Sequence, residues 1–437
     1  MKFIDLFAGL GGFHVALEQL GHECVFASEI NKDLRPLYHT NFGIKAAGDI
    51  RLIDAAKIPA HDILCAGFPC QAFSKAGTQE GTDDEVRGTL FGEIVRILTY
   101  HEPKYIILEN VANLSKHDKG RTWQGIENVL TNLLGYKVQK MVLSPHQFGI
   151  PQIRQRVFIV GCRDGLDHFH WPRPFQEPLV TLHDIVEAKP TSPKLIPVRE
   201  SVCLAVWQRF LDALPNDCKL PSFPLWATEF GATYPYVECT PWALPEGELS
   251  NYAGSFGEPI TGAAKKDQLM ELPKYARFET PKFPTWKQAY IRQNRAFYIQ
   301  HKEFIDPIMP AIRALPFSWQ KFEWNCQGGE RNVLNYAIQF RPSGVRLRRT
   351  TYSPALVAFT PTQVPIWGWL GRYMTTSEGT ALQSLSGLQL PEHSTKAFKA
   401  LGNAVNAHVV KNVARNLLCA ENTIDVVAPT YQEFSEA

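Results

Sequence analysis

The sequence predicts an α/β fold, a doubly wound and mostly parallel sheet, joined to a second and irregular domain. Over residues 1 to about 174, short apolar runs alternate with segments of helical length. Such strand–helix repetition is typical of a parallel sheet with helices on both faces. From about residue 186 to residue 385 the chain is instead rich in Pro, Trp and Tyr, and its periodicity is weak.

The predicted strands of the first part are apolar runs of five to seven residues, at 2–7, 23–28, 62–66, 105–109, 137–143 and 156–160. Helical patterns lie between them at 13–20, 90–100 and 121–134. Residues 394–418 are helical again, with an apolar residue at every fourth position from Val405 to Leu417. We therefore assign 1–185 and 388–437 to one domain and 186–387 to another.

Composition narrows the class of protein. The 437 residues include 45 Lys+Arg and 43 Asp+Glu, a balance that neither requires nor excludes a nucleic-acid partner. The nine cysteines include no Cys-x-x-Cys pair, which argues against disulfides and structural zinc and predicts a reducing compartment. No run approaches the ~18 apolar residues of a membrane helix. A strand pattern at the very start leaves no room for a signal peptide.

A strand, a glycine-rich turn and a helix start follow one another between Phe3 and Phe13. Glycines let the backbone approach a ligand, and a helix N-terminus favours negative charge. The turn lacks the third glycine of a dinucleotide fingerprint. Glu29 ends the next strand, where acids meet ribose hydroxyls in nucleotide-binding sheets, and Asp49 could accept from an adenine amino group. Together they predict a nucleoside cofactor; the alternative is a tight turn without a ligand.

Cys70 stands directly after the apolar run 62–66 and a Gly-x-Pro turn. Ligands of open α/β sheets bind beyond the carboxyl ends of the strands, so a thiol there faces the ligand crevice. We predict that Cys70 is a nucleophile. The alternative is a small buried hydrophobe, the usual state of a single cysteine. Residues 75–88 are polar and Gly-rich, as in loops that close over substrates.

Glu109 follows an apolar strand at the same predicted crevice. Burial there would raise its pKa and let it act as an acid or hydrogen-bond donor, the alternative being a helix cap. Arg154 and Arg156 lie two residues apart in residues 152–157, which open another strand, and so share one face. Two guanidinium groups on one face suit a phosphate or a carboxylate, although a solvated edge strand would show the same spacing.

These stretches, in this order, resemble the motifs of the DNA (cytosine-5)-methyltransferase family in its compact prokaryotic restriction–modification form. The resemblance is strong over 1–175 and 396–418 and weak between them. The stretches that carry it are Asp5–Gly12, Gly67–Gln71, Arg87–Phe91, Glu109–Val111, Gln152-x-Arg154-x-Arg156 and Gly402–Val405. It implies a class I S-adenosylmethionine-dependent, Rossmann-like methyltransferase whose target-recognition domain is 186–387.

The resemblance also implies a mechanism. Cys70 would add to carbon 6 of a cytosine flipped out of duplex DNA, and carbon 5 would then take the methyl group of S-adenosylmethionine. Glu109 would contact N3 and the exocyclic amino group. Arg156 would hold the base carbonyl or support Glu109, and Arg154 a nearby phosphate.

The resemblance implies two further sets of contacts. The cofactor contacts are Phe7, Gly9, Gly11, Glu29, Asp49, Ile50, Pro69, Leu90, Asn403 and Val405. The DNA contacts are Ser74, Arg87, Arg346, Arg348 and Arg349. No metal is expected.

Two basic stretches of the second domain favour DNA as the partner. Residues 274–302 carry seven Lys or Arg against one carboxylate, interleaved with aromatic residues. Arg341, Arg346, Arg348 and Arg349 form a second basic group. Such stretches suit phosphate contact and base readout. For 285–302 a solvated helix face is an equal alternative.

We therefore expect a sequence-specific DNA cytosine-5 methyltransferase that acts as a monomer in a prokaryotic cytoplasm, alongside a restriction endonuclease. One alternative is an RNA cytosine-5 methyltransferase of the same family. Another is a catalytically silent DNA-binding member, against which the presence of both Cys70 and Glu109 speaks. A nicotinamide-dependent oxidoreductase would fit the glycine turn but leaves Pro69-Cys70 and Gly402-Asn403 unexplained.

Overall fold

The computed structural model describes residues 1–68, 90–175, 180–356 and 363–419. The chain forms two compact units. The first contains the described residues of 1–191, 351–361 and 375–437, and the second those of 192–350 and 362–374. Residues 186–191, 351–356 and 375–387, which the sequence assigns to the second domain, therefore cluster with the first unit.

The first unit is built on a six-stranded sheet. Its strands are β1 (Lys2–Leu6), β2 (Glu23–Ser28), β3 (Ile63–Gly67), β4 (Tyr105–Val111), β5 (Lys137–Leu143) and β7 (Arg156–Cys162), while β6 (Gln152–Ile153) pairs outside it with Ser353–Pro354. The order across the sheet is β2-β1-β3-β4-β7-β5. β7 is antiparallel to both of its neighbours, β4 and β5, and the other strand pairs of this sheet are parallel, so the predicted mostly parallel sheet is confirmed.

The helices of the first unit are α1 (Gly12–Glu18), α2 (Leu34–Phe42), Leu90–His101, Arg121–Asn128, Thr376–Gln383, Ser394–Asn403 and Ala407–Leu418. The predicted helix 121–134 turns into a π-helix at Val129–Leu133. The predicted helix 394–418 is two helices, because the Asn406 side chain accepts from the Val409 N–H and starts a new one. The first break has no Gly or Pro at Val129 to mark it, whereas Gly402 stands directly before the second.

The core of the first unit lies on both faces of β1, β3 and β4. Ile4, Leu64, Ile106 and Leu108 are fully buried, as is usual for parallel strands covered by helices on both sides. Their carboxyl ends consequently open at one edge of the sheet. None of the helices among the described residues has the length and apolar character needed to span a membrane.

The second unit, expected to be irregular, also contains a six-stranded sheet. Its strands are β8 (Leu225–Trp226), β9 (Lys321–Asn325), β10 (Ala337–Arg341), β11 (Gly344–Arg348), Ile366–Trp367 and Arg372–Tyr373. Its helices are Val198–Ala213, Lys265–Met270, Thr285–Gln300, Lys302–Ile305 and Met309–Arg313. Three of the strands have two residues each, too short for alternation to be visible in the sequence.

The two faces of this second sheet differ in chemistry. One face is apolar and buried, and Trp207 of helix Val198–Ala213 stacks on Phe322 with ring centroids 4.7 Å apart. The register of β9, β10 and β11 puts Glu323, Gln339 and Arg346 side by side on the other face. Because side chains alternate along a strand, Lys321, Arg341 and Arg348 share that polar face.

Candidate active site

A cavity of about 670 Å³ opens beyond the carboxyl ends of β1, β3 and β4. Its volume lies in the range of sites that hold cofactors and other small molecules. Nine of the residues singled out in the sequence line it: Phe7, Gly9, Glu29, Leu90, Glu109, Arg154, Arg156, Asn403 and Val405. Residues far apart in the chain therefore meet at one edge of the sheet, as the strand-end argument requires.

The glycine turn forms one wall of this cavity. Phe7 and Gly9 have φ values of +58° and +57°, which fold the backbone sharply after β1. The Gly9 N–H donates to Glu29 Oε2 at 2.8 Å, and the Asn31 N–H donates to Glu29 Oε1 at 2.7 Å. A Cβ at Gly9 would meet only Phe7 O, at 3.9 Å, so a ligand has open access to this backbone.

Gly11, expected among the cofactor contacts, lines neither this cavity nor its smaller neighbour among the described residues. Its φ is +83°, and a Cβ there would overlap the Phe42 ring. Gly12 has a packing role too, since its Cβ would lie 2.5 Å from Val405 Cγ1 and from the Val405 carbonyl oxygen. These two glycines thus let α1 pack closely against α2 and the returning chain.

A smaller cavity of about 250 Å³ adjoins the first and shares Phe7, Glu29, Ile30 and Leu90 with it. Asp49 and Ile50 line this second space, so two more predicted cofactor contacts come together there. The Asp49 carboxylate is paired with the Arg51 guanidinium at 2.5 Å. Hydrogen bonding from Arg51 lowers the pKa of Asp49, which keeps it an acceptor.

Glu109 and Arg156 form an ion pair on the opposite wall, with Arg156 Nε 2.9 Å from Glu109 Oε1. Glu109 is 8% exposed. Burial raises its pKa, although the charges of Arg156 and Arg154 act in the opposite direction. The carboxyl group is thus held in place by Arg156, and burial keeps its pKa above the ordinary value for a glutamate.

Arg154 has a different position from the one expected. It precedes β7 instead of sharing a strand face with Arg156, and it is 3% exposed. Its guanidinium donates to the carbonyls of Leu356 at 2.8 Å, Gly402 at 2.7 Å and Ala404 at 3.0 Å. Burial lowers its pKa to about 9. The expected contact with a phosphate is therefore replaced by a positioning role at the Gly402–Val405 wall.

A buried polar group behind the glycine turn went unnoticed in the sequence. Tyr38 Oη donates to Asp5 Oδ2 at 3.3 Å and lies 2.8 Å from His14 Nδ1. Asp5 is fully buried, and burial raises its pKa to about 8. Burial also lowers the pKa of His14 to about 4. Both groups therefore favour their neutral forms close to neutral pH, beneath a turn that lines the cavity.

Asp5→Asn should make stability less dependent on pH. The pKa of Asp5 in the folded protein, about 8, exceeds its ordinary value of 3.8. The proton on Asp5 therefore contributes to the free energy of unfolding; this contribution is fully present below pH 4 and is lost as the pH rises to about 8. Asn is isosteric and uncharged and does not titrate. Urea unfolding at pH 5 to 8 should show the wild type losing stability relative to Asp5→Asn, while the exposed Asp167→Asn follows the wild type. Parallel curves for Asp5→Asn and wild type would contradict the prediction.

Two of the basic residues in 274–302 lie inside the second unit rather than on a DNA-facing surface. Lys287 is 5% exposed and donates to the Tyr275 carbonyl at 2.9 Å. Arg295 pairs with the buried Glu229 at 3.0 Å. The interpretation of this stretch as a row of phosphate contacts is therefore wrong for these two residues.

The second basic group lies on the polar face of the second sheet. Arg346 pairs with Glu323, and Arg349 donates to the Gln327 carbonyl. Burial lowers the pKa of Arg348, and so does the charge of Arg346. Three arginines face one carboxylate there, so the described part of this face carries excess positive charge.

Four of the predicted site residues, Pro69, Cys70, Ser74 and Arg87, lie outside the described residues. The strand that precedes them in the chain, β3, lies within the described residues and reaches the cavity. β3 ends at Gly67 on the cavity wall, and Asn110 Nδ2 donates to the Phe68 carbonyl at 2.9 Å. A Cβ at Gly67 would lie 3.6 Å from Glu109 Oε2, so the chain leaves β3 close to the Glu109 carboxyl.

The architecture is that of a class I methyltransferase with a further domain. A crystal structure from E. coli, described as a DNA modification methyltransferase encoded within a prophage, matches 95% of this chain and 98% of its own. The TM-score is 0.51 at 17% sequence identity, so this likeness concerns the fold alone.

Relatives in sequence define the family. A family model for C-5 cytosine-specific DNA methylases matches residues 1–199. The type II methyltransferase M.AluI of Cellulosimicrobium cellulans is 31% identical over all of this chain and 95% of its own length. M.HhaI of Haemophilus parahaemolyticus is 47% identical over 40% of this chain, and the match spans about half of that relative, 54%. The chain belongs to the C-5 cytosine-specific DNA methylase family of restriction–modification systems, as the sequence motifs predicted.

Proposed function

We propose that this protein transfers a methyl group from S-adenosylmethionine to carbon 5 of a flipped-out cytosine in duplex DNA, through a covalent adduct with Cys70. Family membership supports the reaction class. The observation that carries the proposal is the Glu109 carboxyl, which is buried, braced by Arg156 and located on the same cavity wall as the end of β3. A carboxyl that retains its proton can donate it to a ring nitrogen.

The two adjoining cavities fit the proposed cofactor. Gly9 leaves its backbone open to a ligand, and Glu29 retains acceptor capacity for ribose hydroxyls beyond its two backbone donors. Asp49 and Ile50 line the smaller space, where an adenine would find an acceptor and an apolar surface. When bound, S-adenosylmethionine supplies an electrophilic methyl group. Asn403 and Val405 would close the larger cavity from the C-terminal side.

Cys70 and Glu109 have separate roles toward the cytosine base. The Cys70 thiolate forms the bond from sulfur to carbon 6, which makes carbon 5 a nucleophile. Glu109 holds a proton toward N3, since Arg156 occupies Oε1 and Oε2 has no hydrogen-bond partner among the described residues. Once carbon 5 carries the methyl group, loss of its remaining proton to solvent would restore the double bond between carbons 5 and 6 and release the Cys70 sulfur as a thiolate. The cytosine must leave the duplex to reach these groups, at a cost of a few kcal/mol.

We assign DNA backbone contacts to the arginine face, defined as Arg341, Arg346 and Arg348 on the polar side of the second sheet. Its excess positive charge supports this role, because neutralised phosphates release counterions. Arg349 lies just beyond β11 and would extend the face. Ser74 and Arg87 are proposed as further DNA contacts on the ground of the sequence motifs alone. A restriction endonuclease partner, a monomeric state and a cytoplasmic location belong to the same proposal.

The test is covalent trapping on duplex DNA that carries 5-fluorocytosine, in the presence of S-adenosylmethionine. A stable adduct should form and map to Cys70, and Cys70→Ala should give none. Cys65 serves as the internal comparison, because it is fully buried in β3 and burial raises its pKa well above the usual range. An adduct at Cys65, or methyl transfer to transfer RNA but not to duplex DNA, would refute the proposal.

A further inference from the structure

A third cavity, of about 520 Å³, belongs entirely to the second unit. Its lining combines aromatic side chains with cations, among them Phe256, Tyr275, Phe317, Lys274 and Lys321. This combination is unlike an ordinary packing defect, which is apolar. Stacking surfaces next to cations are the usual means of binding single nucleotides in nucleic-acid-binding proteins.

The positive charge of this cavity is not neutralised by its own acids. Glu258 pairs with Arg313, and Glu271 accepts from the backbone N–H groups of Thr261 and Gly262. Lys321 Nζ lies 4.8 Å from the centroid of the Tyr275 ring and has no hydrogen bond or ion pair with any described residue. Its ammonium is thus a half-buried charge that lacks an anion.

Two phenylalanines of the lining are held in unusual positions. Phe256 has φ +60°, a left-handed conformation that costs energy for a bulky residue. Its neighbour Gly257 packs against Gly231, where a Cβ would come 3.0 Å from the Gly257 Cα. Phe317 is 75% exposed. Backbone strain and an exposed aromatic ring at one cavity indicate a binding surface rather than a folding core.

The cavity also adjoins the arginine face. Lys321 is the first residue of β9, two positions before Glu323, which pairs with Arg346. Alternation along the strand puts Lys321 and Glu323 on the same side of the sheet. Pro342, which follows β10 directly after Arg341, lines the cavity as well. A DNA backbone that runs along the arginine face would therefore lead to this cavity.

We propose that this cavity binds one unpaired nucleotide of the DNA substrate, with the base against the aromatic side chains and the phosphate near Lys274 and Lys321. The proposal rests on the proposed function, which supplies duplex DNA as the substrate. A base inside a duplex cannot enter a cavity, so the nucleotide is one that has left the stack. It is distinct from the target cytosine, whose proposed site lies in the first unit.

The test compares a fluorescein-labelled duplex that has a one-nucleotide bulge with the same duplex fully paired, by fluorescence anisotropy. The wild type should bind the bulged duplex at least about fivefold more tightly, since stacking of one base contributes ~1–3 kcal/mol. Phe317→Ala and Lys321→Met should abolish this preference. Lys219→Met, an exposed lysine of the same unit outside the cavity, should keep it. Phe317 is exposed, so its truncation is expected to leave folding intact.

The outcomes separate this inference from the proposed function. A wild type without bulge preference, or variants that keep the preference, would overturn it even if methyl transfer to paired duplex proceeds. A bulge preference lost in both variants would support it even if no methyl transfer is found. As a further arm, 2′-deoxynucleoside monophosphates should compete for the bulged duplex better than inorganic phosphate does. Equal competition by phosphate would reduce the cavity to an anion site and refute the base contact.

Discussion

Glu109→Gln is expected to lower kcat for methyl transfer about 10²-fold or more, with KM for the cofactor changed less than about twofold. Gln has the size of Glu but can neither give up a proton to N3 nor form an ion pair with Arg156. The proposed cofactor contacts are other residues of the cavity wall, which is why cofactor binding should persist. Steady-state methyl transfer to a duplex substrate measures both parameters.

The pH profile gives this prediction its sharpest form. Burial raises the pKa of Glu109, and the protonated form is the proposed donor, so kcat of the wild type should fall as the pH rises through that pKa. The profile of Glu109→Gln should lack this limb. Glu18→Gln, an exposed carboxyl on α1, is the matched control and should match the wild type. A wild-type kcat in Glu109→Gln would mean that Glu109 takes no part in the chemistry.

Arg154→Met is expected to lower the free energy of unfolding by about 3 kcal/mol, because three buried carbonyls lose their donor at ~1–3 kcal/mol each. Relief of the buried charge offsets part of that sum, since burial lowers the pKa of Arg154 to about 9. Met keeps the length and the apolar stem. Cofactor affinity should fall as well, by about tenfold, since Gly402 and Ala404 belong to the cavity wall.

Urea unfolding and cofactor titration measure the two effects of Arg154→Met separately. The control is Arg121→Met, which removes an exposed ion pair with Asp118 and should change stability by no more than about 0.5 kcal/mol. If Arg154→Met keeps the wild-type stability but binds DNA more weakly, the prediction is contradicted, and the result would support the phosphate contact expected from the sequence.

The parts of the site that the sequence predicts well are local. A strand that ends in a glycine turn, or in Glu109, has its position fixed by a few neighbouring residues and by the rule that ligands meet strand ends. The hairpin of β10 and β11 was equally legible, because Ile338, Phe340, Val345 and Leu347 alternate with polar residues around a Pro-Ser-Gly turn. The Pro, Trp and Tyr content of the surrounding residues predicts irregular structure there instead.

The parts that could not be predicted depend on partners distant in the chain. The acceptors of Arg154 lie 202 to 250 positions away, and no spacing rule connects them to it. The burial of Lys287 and Arg295 could not be predicted for the same reason. A charged residue on a helix is expected to face solvent unless its buried partner is known. For Arg295 that partner is Glu229, 66 positions earlier.

The close packing of Gly12 against Val405 has a consequence for folding during synthesis on the ribosome. The first wall of the cavity leaves the ribosome about 390 residues before the last wall. At 5–20 residues per second, that interval is roughly 20 to 80 s. A nascent chain whose second unit is already complete still lacks the residues that cover α1. The cavity is therefore complete only after residues 402–405 have left the ribosome, so the cofactor cannot bind the finished site before then.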